Sequence, residues 1–327
     1  MTISIQNTPS LSLKPLYMWA GGKSKLLKSY QTYLPDLNSV SAYVEPFFGA
    51  GALFASVKST YSHIPAIIND VNPELIALLN TIKHDHDELI THLQELEAVY
   101  LGYRSLEVRN YHFYRVREQY WKAQIGTVRA SALLFFLLRT GFNGIWQVSR
   151  KTGRYGTAAG LLNHTTSLFD YSLLNEWHRA LQATSIHCGS YADLDVPAGA
   201  FVYCDPPYRD SYADYGHAFT DEDHKDLIEW CRQLQERGCV VWLANREAND
   251  SFFEENASDA SVLLSIVCSY SAIFAFTSSS LLFVSSVFCL KFVIPVLNSS
   301  SLIFSNEVKS VCLTVLNWMN ITAVNIS

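Results

Sequence analysis

Seven cysteines occur in the 327-residue chain without one C-x-x-C pair, so neither a disulfide framework nor a zinc site is implied. The expectation is a reduced, cytoplasmic protein that binds no metal. Charge is scarce too: 17% of residues are charged against 49% hydrophobic, which excludes a disordered chain and leaves a globular one able to bury a proper core. The stretch Met1 to Lys14 lacks the apolar run of a secretory signal. At the other end, charge is what is missing. No charged residue lies between Ala260 and Leu290, and only Lys291, Glu307 and Lys309 follow. Hydropathy alone would allow a membrane span there, but the serine content and the lack of helical or strand periodicity speak against membrane association. The other reading of this atypical hydrophobic, Ser-rich tail, residues 257–327, is a segment foreign to the fold, such as a shifted reading frame or a spliced-on sequence.

Positive charge is short overall, with a formal balance of −6, yet it is concentrated. Between Leu101 and Tyr155 stand Arg104, Arg109, Arg115, Arg117, Lys122, Arg129, Arg139, Arg150, Lys151 and Arg154 against only Glu107 and Glu118, a local balance of +8 that leaves −14 for the rest. Such asymmetry is expected when one lobe grips phosphates and another does not.

The chain alternates strand and helix at both ends of this basic stretch. Tyr43-Val44-Glu45-Pro46-Phe47-Phe48 runs into Gly49-Ala50-Gly51 and a helical Ala52 to Ala55, the sequence of a strand, a glycine turn and a helix. Ala66-Ile67-Ile68-Asn69-Asp70 is a short apolar strand closed by an acid, about twenty residues past the glycines, and Asn72-Pro73-Glu74 opens the next helix. His84 to Leu138 shows helical periodicity with aromatic residues between basic ones, followed by a turn-rich loop or hairpin from Gly141 to Gly156. Strands resume at Ser185 to Cys188, Ala200 to Cys204 and Cys239 to Ala244, with a helix from Asp221 to Arg237. The expectation is an α/β fold with a Rossmann-like sheet in two parts, residues 1–80 and 171–256, and a helical insertion at 81–170.

Asp205-Pro206-Pro207-Tyr208 follows directly on an apolar strand. Two prolines stiffen the loop and direct the Asp205 carboxylate and the Pro206 carbonyl into the crevice at the strand's carboxyl end. Those groups suit a particular problem. An amino group conjugated to a purine ring is a poor nucleophile, because its lone pair is delocalised. Two acceptors that bind both of its hydrogens favour a pyramidal nitrogen and aim the lone pair at a methyl donor. A base stacked in a duplex must be extruded to be reached, and Tyr208 offers an aromatic face to hold it. Near the start, Trp19-Ala20-Gly21-Gly22-Lys23-Ser24 lacks the glycine that a phosphate loop needs where Tyr17 stands, which excludes a nucleotide triphosphatase.

Taken together, Trp19-Ala20-Gly21-Gly22-Lys23, Glu45 to Gly51, Asn69-Asp70-Val71-Asn72, Phe142-Asn143-Gly144, Ser190-Tyr191-Ala192-Asp193 and Asp205-Pro206-Pro207-Tyr208 resemble the Dam family of DNA adenine-N6 methyltransferases, over roughly Pro15 to Asp250. The resemblance implies S-adenosyl-L-methionine as cofactor, contacted by Trp19, Lys23, Asp70 and Asp205, with Glu45, Phe48, Gly49, Gly51, Tyr191 and Asp193 around it. It implies catalysis by Asp205, Pro206, Pro207 and Tyr208, and double-stranded DNA held by Asn143, Gln147, Arg150, Lys151, Arg154 and Tyr155, with no obligate protein partner. The chain departs from GATC-reading members at Met18, at Gln147 and at Tyr155 to Gly160, so the resemblance does not extend to a recognition sequence. It also departs after Asn256, where the family completes its sheet with a C-terminal β-hairpin. Methylation of RNA or of a protein amide, and an inactive DNA-binding remnant, are the competing readings; the basic insertion favours duplex DNA.

Overall fold

The computed structural model describes residues 11–17, 27–31, 33–144, 146–149, 151–160, 162, 165–209, 219–246, 251–266 and 271–276. Seven strands among them form one sheet in the order β3-β2-β1-β4-β5-β7-β6. After the short helix α1 (Leu27–Gln31), β1 (Tyr43–Glu45) is buried along its length and leads through the glycine turn to α2 (Ala52–Thr60). β2 (Ala66–Asp70) pairs parallel with β1. Asn72 then caps α3 (Pro73–His84), its side chain accepting from the Glu74 and Leu75 N–H groups, while Pro73 needs no donor partner at the first helical position.

Three helices form the insertion: α4 (His86–Gly102), α5 (Leu106–Tyr120) and α6 (Val128–Thr140). α6 is buried almost all round, from Ala130 to Leu138, as expected of a central helix that is apolar on every side. It touches α3, α4 and α5, and the Ser131 hydroxyl meets that of Thr81 at 2.8 Å. α7 (Tyr171–Gln182), capped by Asp170, returns the chain to the sheet. β3 (Thr184–Cys188) pairs parallel with β2, β4 (Phe201–Cys204) with β1, and β5 (Val240–Arg246) with β4. Between β4 and β5 lies α8 (Asp221–Glu236), whose capping box joins Thr220 and Asp223 reciprocally. No helix among the described residues is long and apolar enough to cross a membrane.

The tail departs from expectation. After α9 (Phe252–Asn256), Ser261–Ile266 forms β6 and Ser271–Phe276 forms β7, an antiparallel hairpin whose second strand pairs along β5 from Val241 to Arg246. The start of the apolar tail therefore completes the sheet. Uncharged, β-branched and aromatic residues without alternation suit such a strand pair as well as they suit a membrane. Residues 277–327 lie outside the described ones.

Two cores flank the sheet. The larger joins Tyr43, Phe201, Tyr203 and Trp242 to α2, α3 and α7 and runs without a break into α4, α5 and α6. The smaller joins Val44, Val202, Cys204, Val241 and Leu243 to Leu227, Ile228, Cys231 and Leu234 of α8.

Candidate active site

Three carboxylates mark the carboxyl ends of three adjacent strands. Glu45 ends β1, Asp70 ends β2, and Asp205 follows β4 directly. β1 has β2 on one side and β4 on the other, so strand order reverses between β1 and β4, and in open α/β sheets a ligand crevice opens at that reversal.

Each carboxylate is held differently. One Asp70 oxygen accepts the Gly49 N–H and the other the Asn72 N–H, both at 2.9 Å. Burial raises this carboxyl above the ordinary aspartate range, against the pull of the Gly49, Asn72 and Val71 N–H groups. Glu45 is buried and accepts the Tyr43 hydroxyl at 2.7 Å. Asp205 opens the loop in which Pro206 is buried and Pro207 and Tyr208 are half-buried. On the strand just before it, the buried Tyr203 hydroxyl is driven well above the ordinary phenol range by burial and by the Asp205 charge.

The glycine turn is tied from both sides. Gly49 and Gly51 take φ of 52° and 61°, a region that favours glycine, and the Tyr17 hydroxyl donates to the Gly49 carbonyl at 3.1 Å. Phe48 is 3% exposed, its ring 5.5 Å from that of Phe54 and 6.3 Å from that of Trp177, so its side chain packs in the core beneath the turn. Gly51 caps α2 and leaves room for the Phe48 ring, from which a Cβ there would stand 2.3 Å.

Phe47, which the sequence reading passed over, is the half-buried member of the pair, 5.3 Å from Tyr191 and 5.9 Å from Phe219 between ring centroids. Consecutive residues leaving a strand point to opposite sides, a signal that could have found it. Tyr191 and Asp193 lie in a 3-10 turn after β3, with Asp193 exposed and Tyr191 also packed on Trp230. Asn69 was missed as well: its side chain donates to the carbonyls of Pro46 and Gly189, both at 3.0 Å, and so binds the turns after β1 and β3 to β2. Beside it Val71 is 67% exposed next to Asp70. Trp19 and Lys23 lie outside the described residues, as does Arg150.

A family model of the D12 class N6 adenine-specific DNA methyltransferase matches residues 19–266, from ahead of the glycine turn through β6. The chain belongs to this family. Type II methyltransferase M.MjaIII of Methanocaldococcus jannaschii is 31% identical over 255 residues, covering 74% of this chain and 87% of its own length. The DNA adenine methylase of Escherichia coli K12 is 30% identical over 237 residues, 70% of this chain and 79% of that protein. Type II methyltransferase M1.LlaDCHI of Lactococcus lactis is 29% identical over 250 residues, 72% of this chain and 82% of that protein.

Membership in a methyltransferase family implies a methyl-donating cofactor, and the donor set fits one that carries positive charge and hydroxyl groups. Glu45, Asp70 and Asp205 put three carboxylates at one edge of the sheet, and the Phe47 and Tyr191 rings lie against each other at the ends of β1 and β3. Among the described residues no group of three His, Cys, Asp or Glu side chains is arranged to hold a metal ion.

In this methyltransferase the insertion carries a hairpin, pinned by bridges between Gly141 and Ala159 and between Val148 and Tyr155. Asn143, Gln147, Lys151 and Arg154 are exposed on it, and Asn143 takes a φ of 52° within the turn Phe142–Gly144. Tyr155 is the exception. It is 2% exposed and packed on Trp146 and Tyr120, so its side chain supports the hairpin from beneath. The basic balance is also partly used inside the lobe. Arg109 donates to the carbonyls of Tyr103 and Leu162, Arg117 to those of Gly156 and Thr157, and Arg139 to that of Leu168. Arg117 further stacks between the Tyr114 and Trp121 rings, at 4.7 and 4.9 Å, while the Trp121 indole donates to the Tyr155 carbonyl.

Proposed function

We propose that the protein transfers a methyl group from S-adenosylmethionine to N6 of an adenine extruded from duplex DNA, at the crevice between β1 and β4. The observation that carries this is the meeting of Glu45, Asp70 and the Asp205 loop at the point where strand order reverses. Bound S-adenosylmethionine supplies an electrophilic methyl on a sulfonium. Asp70 takes the ribose hydroxyls, Glu45 favours the cationic end, and Tyr191 and Asp193 flank the cofactor's base. Trp19 and Lys23 complete the set by resemblance to the family.

Asp205 and the Pro206 carbonyl accept the two N6 hydrogens, which draws the lone pair out of the ring and points it at the methyl. Tyr208 stacks on the flipped base, at the expense of a few kcal/mol of lost stacking in the duplex. The Asp205 carboxylate need not be a strong base, since the N6 proton becomes acidic only once the methyl is on nitrogen. On the insertion, Asn143, Gln147, Arg150, Lys151 and Arg154 meet bases and phosphates.

The test is direct. Purified protein is incubated with labelled S-adenosylmethionine and either an unmethylated duplex or an RNA of the same sequence, and the products are digested to nucleosides. Label in N6-methyldeoxyadenosine from the duplex is the expected result. Duplex retained on a gel without label, or label found in RNA or protein, overturns the reading.

A further inference from the structure

The Asp205 loop is anchored to β4 at its start, and the structure shows what holds its far end. Arg209, immediately after Tyr208, forms a two-pronged bond with Asp221: Nε to Oδ1 at 2.7 Å and Nη2 to Oδ2 at 2.9 Å. Its guanidinium also lies 4.0 Å above the Phe252 ring. This is not an ordinary surface ion pair. The Arg209 side chain is only 10% exposed, although that of Asp221 is 58% exposed, and a fork with two parallel bonds fixes direction as well as distance. Asp221 sits in the first turn of α8, where the capping box of Thr220 and Asp223 fixes the helix start. Phe252 belongs to α9, whose exit is held in turn by Arg232 of α8 through Asp259 and the Asn256 carbonyl. The landing points of Arg209 are thus tied on both sides into further hydrogen bonds.

We propose that Arg209 is a positioning residue for methyl transfer: clamped by Asp221 and Phe252, it fixes the outer end of the loop that carries Asp205 and Tyr208. This rests on the reading that the loop presents the acceptors to the target nitrogen. Arg209 touches neither base nor cofactor in this role. Its action is to keep a loop with two prolines from pivoting about β4, where a misplacement of about 1 Å costs on the order of a hundredfold in rate.

The experiment uses the full chain and five variants: D205A, R209M, D221N, D221E and, as a surface control on the same helix, K225Q. Single-turnover methylation of a duplex is measured at saturating S-adenosylmethionine, together with equilibrium cofactor binding and the thermal midpoint. D221N and R209M are expected to slow methyl transfer by roughly 10- to 100-fold. Cofactor affinity should stay within about threefold and the midpoint within about 2 °C, while D221E, which keeps the carboxylate, recovers at least about half the parental rate. K225Q should match the parent. D221N and R209M at the parental rate, with D205A inactive, overturn the clamp and leave the reading of the loop standing. A rate loss that merely follows the thermal midpoint or cofactor affinity, or a D221E no better than D221N, likewise overturns it. D205A at the parental rate removes the reading of the loop and the clamp with it.

Discussion

The two faces of the sheet are built to different ends. On one, Tyr43, Phe201, Tyr203 and Trp242 pack into a core that continues through α3 and α7 into the helical insertion, so the sheet and the Gly141–Ala159 hairpin share one block of packed side chains. On the other, Val44, Val202, Cys204, Val241 and Leu243 meet α8, Phe252 and Phe253 of α9, and Val196 in a smaller core. The difference teaches that the insertion is not a module hung on the catalytic sheet. Under the proposed function a flipped base is positioned only if the hairpin and the Asp205 loop keep their distance, and a continuous core transmits that constraint.

Emptying each face separately should break the comparison if it is wrong. Phe136→Ala, at the centre of α6, is expected to cost about 3–5 kcal/mol in denaturant unfolding and to weaken duplex and cofactor binding together. Leu227→Ala on α8 should cost about 2–4 kcal/mol and leave duplex affinity of the folded protein near the parental value, read by gel retardation. Equal damage to duplex binding from both would refute the asymmetry.

Acid separates the faces next. His224, wholly buried on α8 among Phe219, Phe252 and Phe253, is held down to a pKa of about 4 by burial and by the Arg209 charge, against an ordinary value of 6.5. Below pH 6.5 the unfolded chain binds a proton there that the folded chain refuses, so stability falls as pH drops from 6.5 towards about 4 and is full above that window. His224→Gln should flatten unfolding midpoints across that range. On the first face the window is lower. Burial would raise the carboxyl of Glu97, but bonds from the Leu168 N–H, the Tyr171 and Ser167 hydroxyls and the Phe169 N–H outweigh it and hold the group below the ordinary 4.5. Its contribution is present above that value and is lost as pH falls through the lower folded one. Glu97→Gln should cost roughly 1–2 kcal/mol at neutral pH and nothing in stronger acid, as measured by urea titration at each pH.

The smallest effects concern the surface. Lys151→Ala and Arg154→Ala should each lower the salt slope of duplex binding by about one and weaken all sequences alike. Arg117→Ala should instead disorder the hairpin it holds through Gly156 and Thr157, with a loss of discrimination between sequences.

Much of the site was legible because its chemistry is local. A strand ending in an acid, a glycine turn and Asp205-Pro206-Pro207-Tyr208 each follow from a few neighbouring residues, and the sheet brought Glu45, Asp70 and Asp205 to one edge. What was not legible is burial and long-range partnership. Residue type does not tell that Phe48 faces Trp177 while Phe47 faces Tyr191, or that Tyr155 lies under its hairpin. The arginines that grip carbonyls do so across as many as 53 residues of chain, as Arg109 does with Leu162. The hairpin of β6 and β7 was hidden for the same reason: its segments lack alternation, and their pairing with β5 is set by the sheet.

The central claim is tested most directly by the rate at which N6-methyldeoxyadenosine forms in a single turnover when Asp205 is replaced by alanine, with duplex and S-adenosylmethionine both saturating. The account predicts a fall of at least about a hundredfold while the duplex is still bound. An undiminished rate would contradict it.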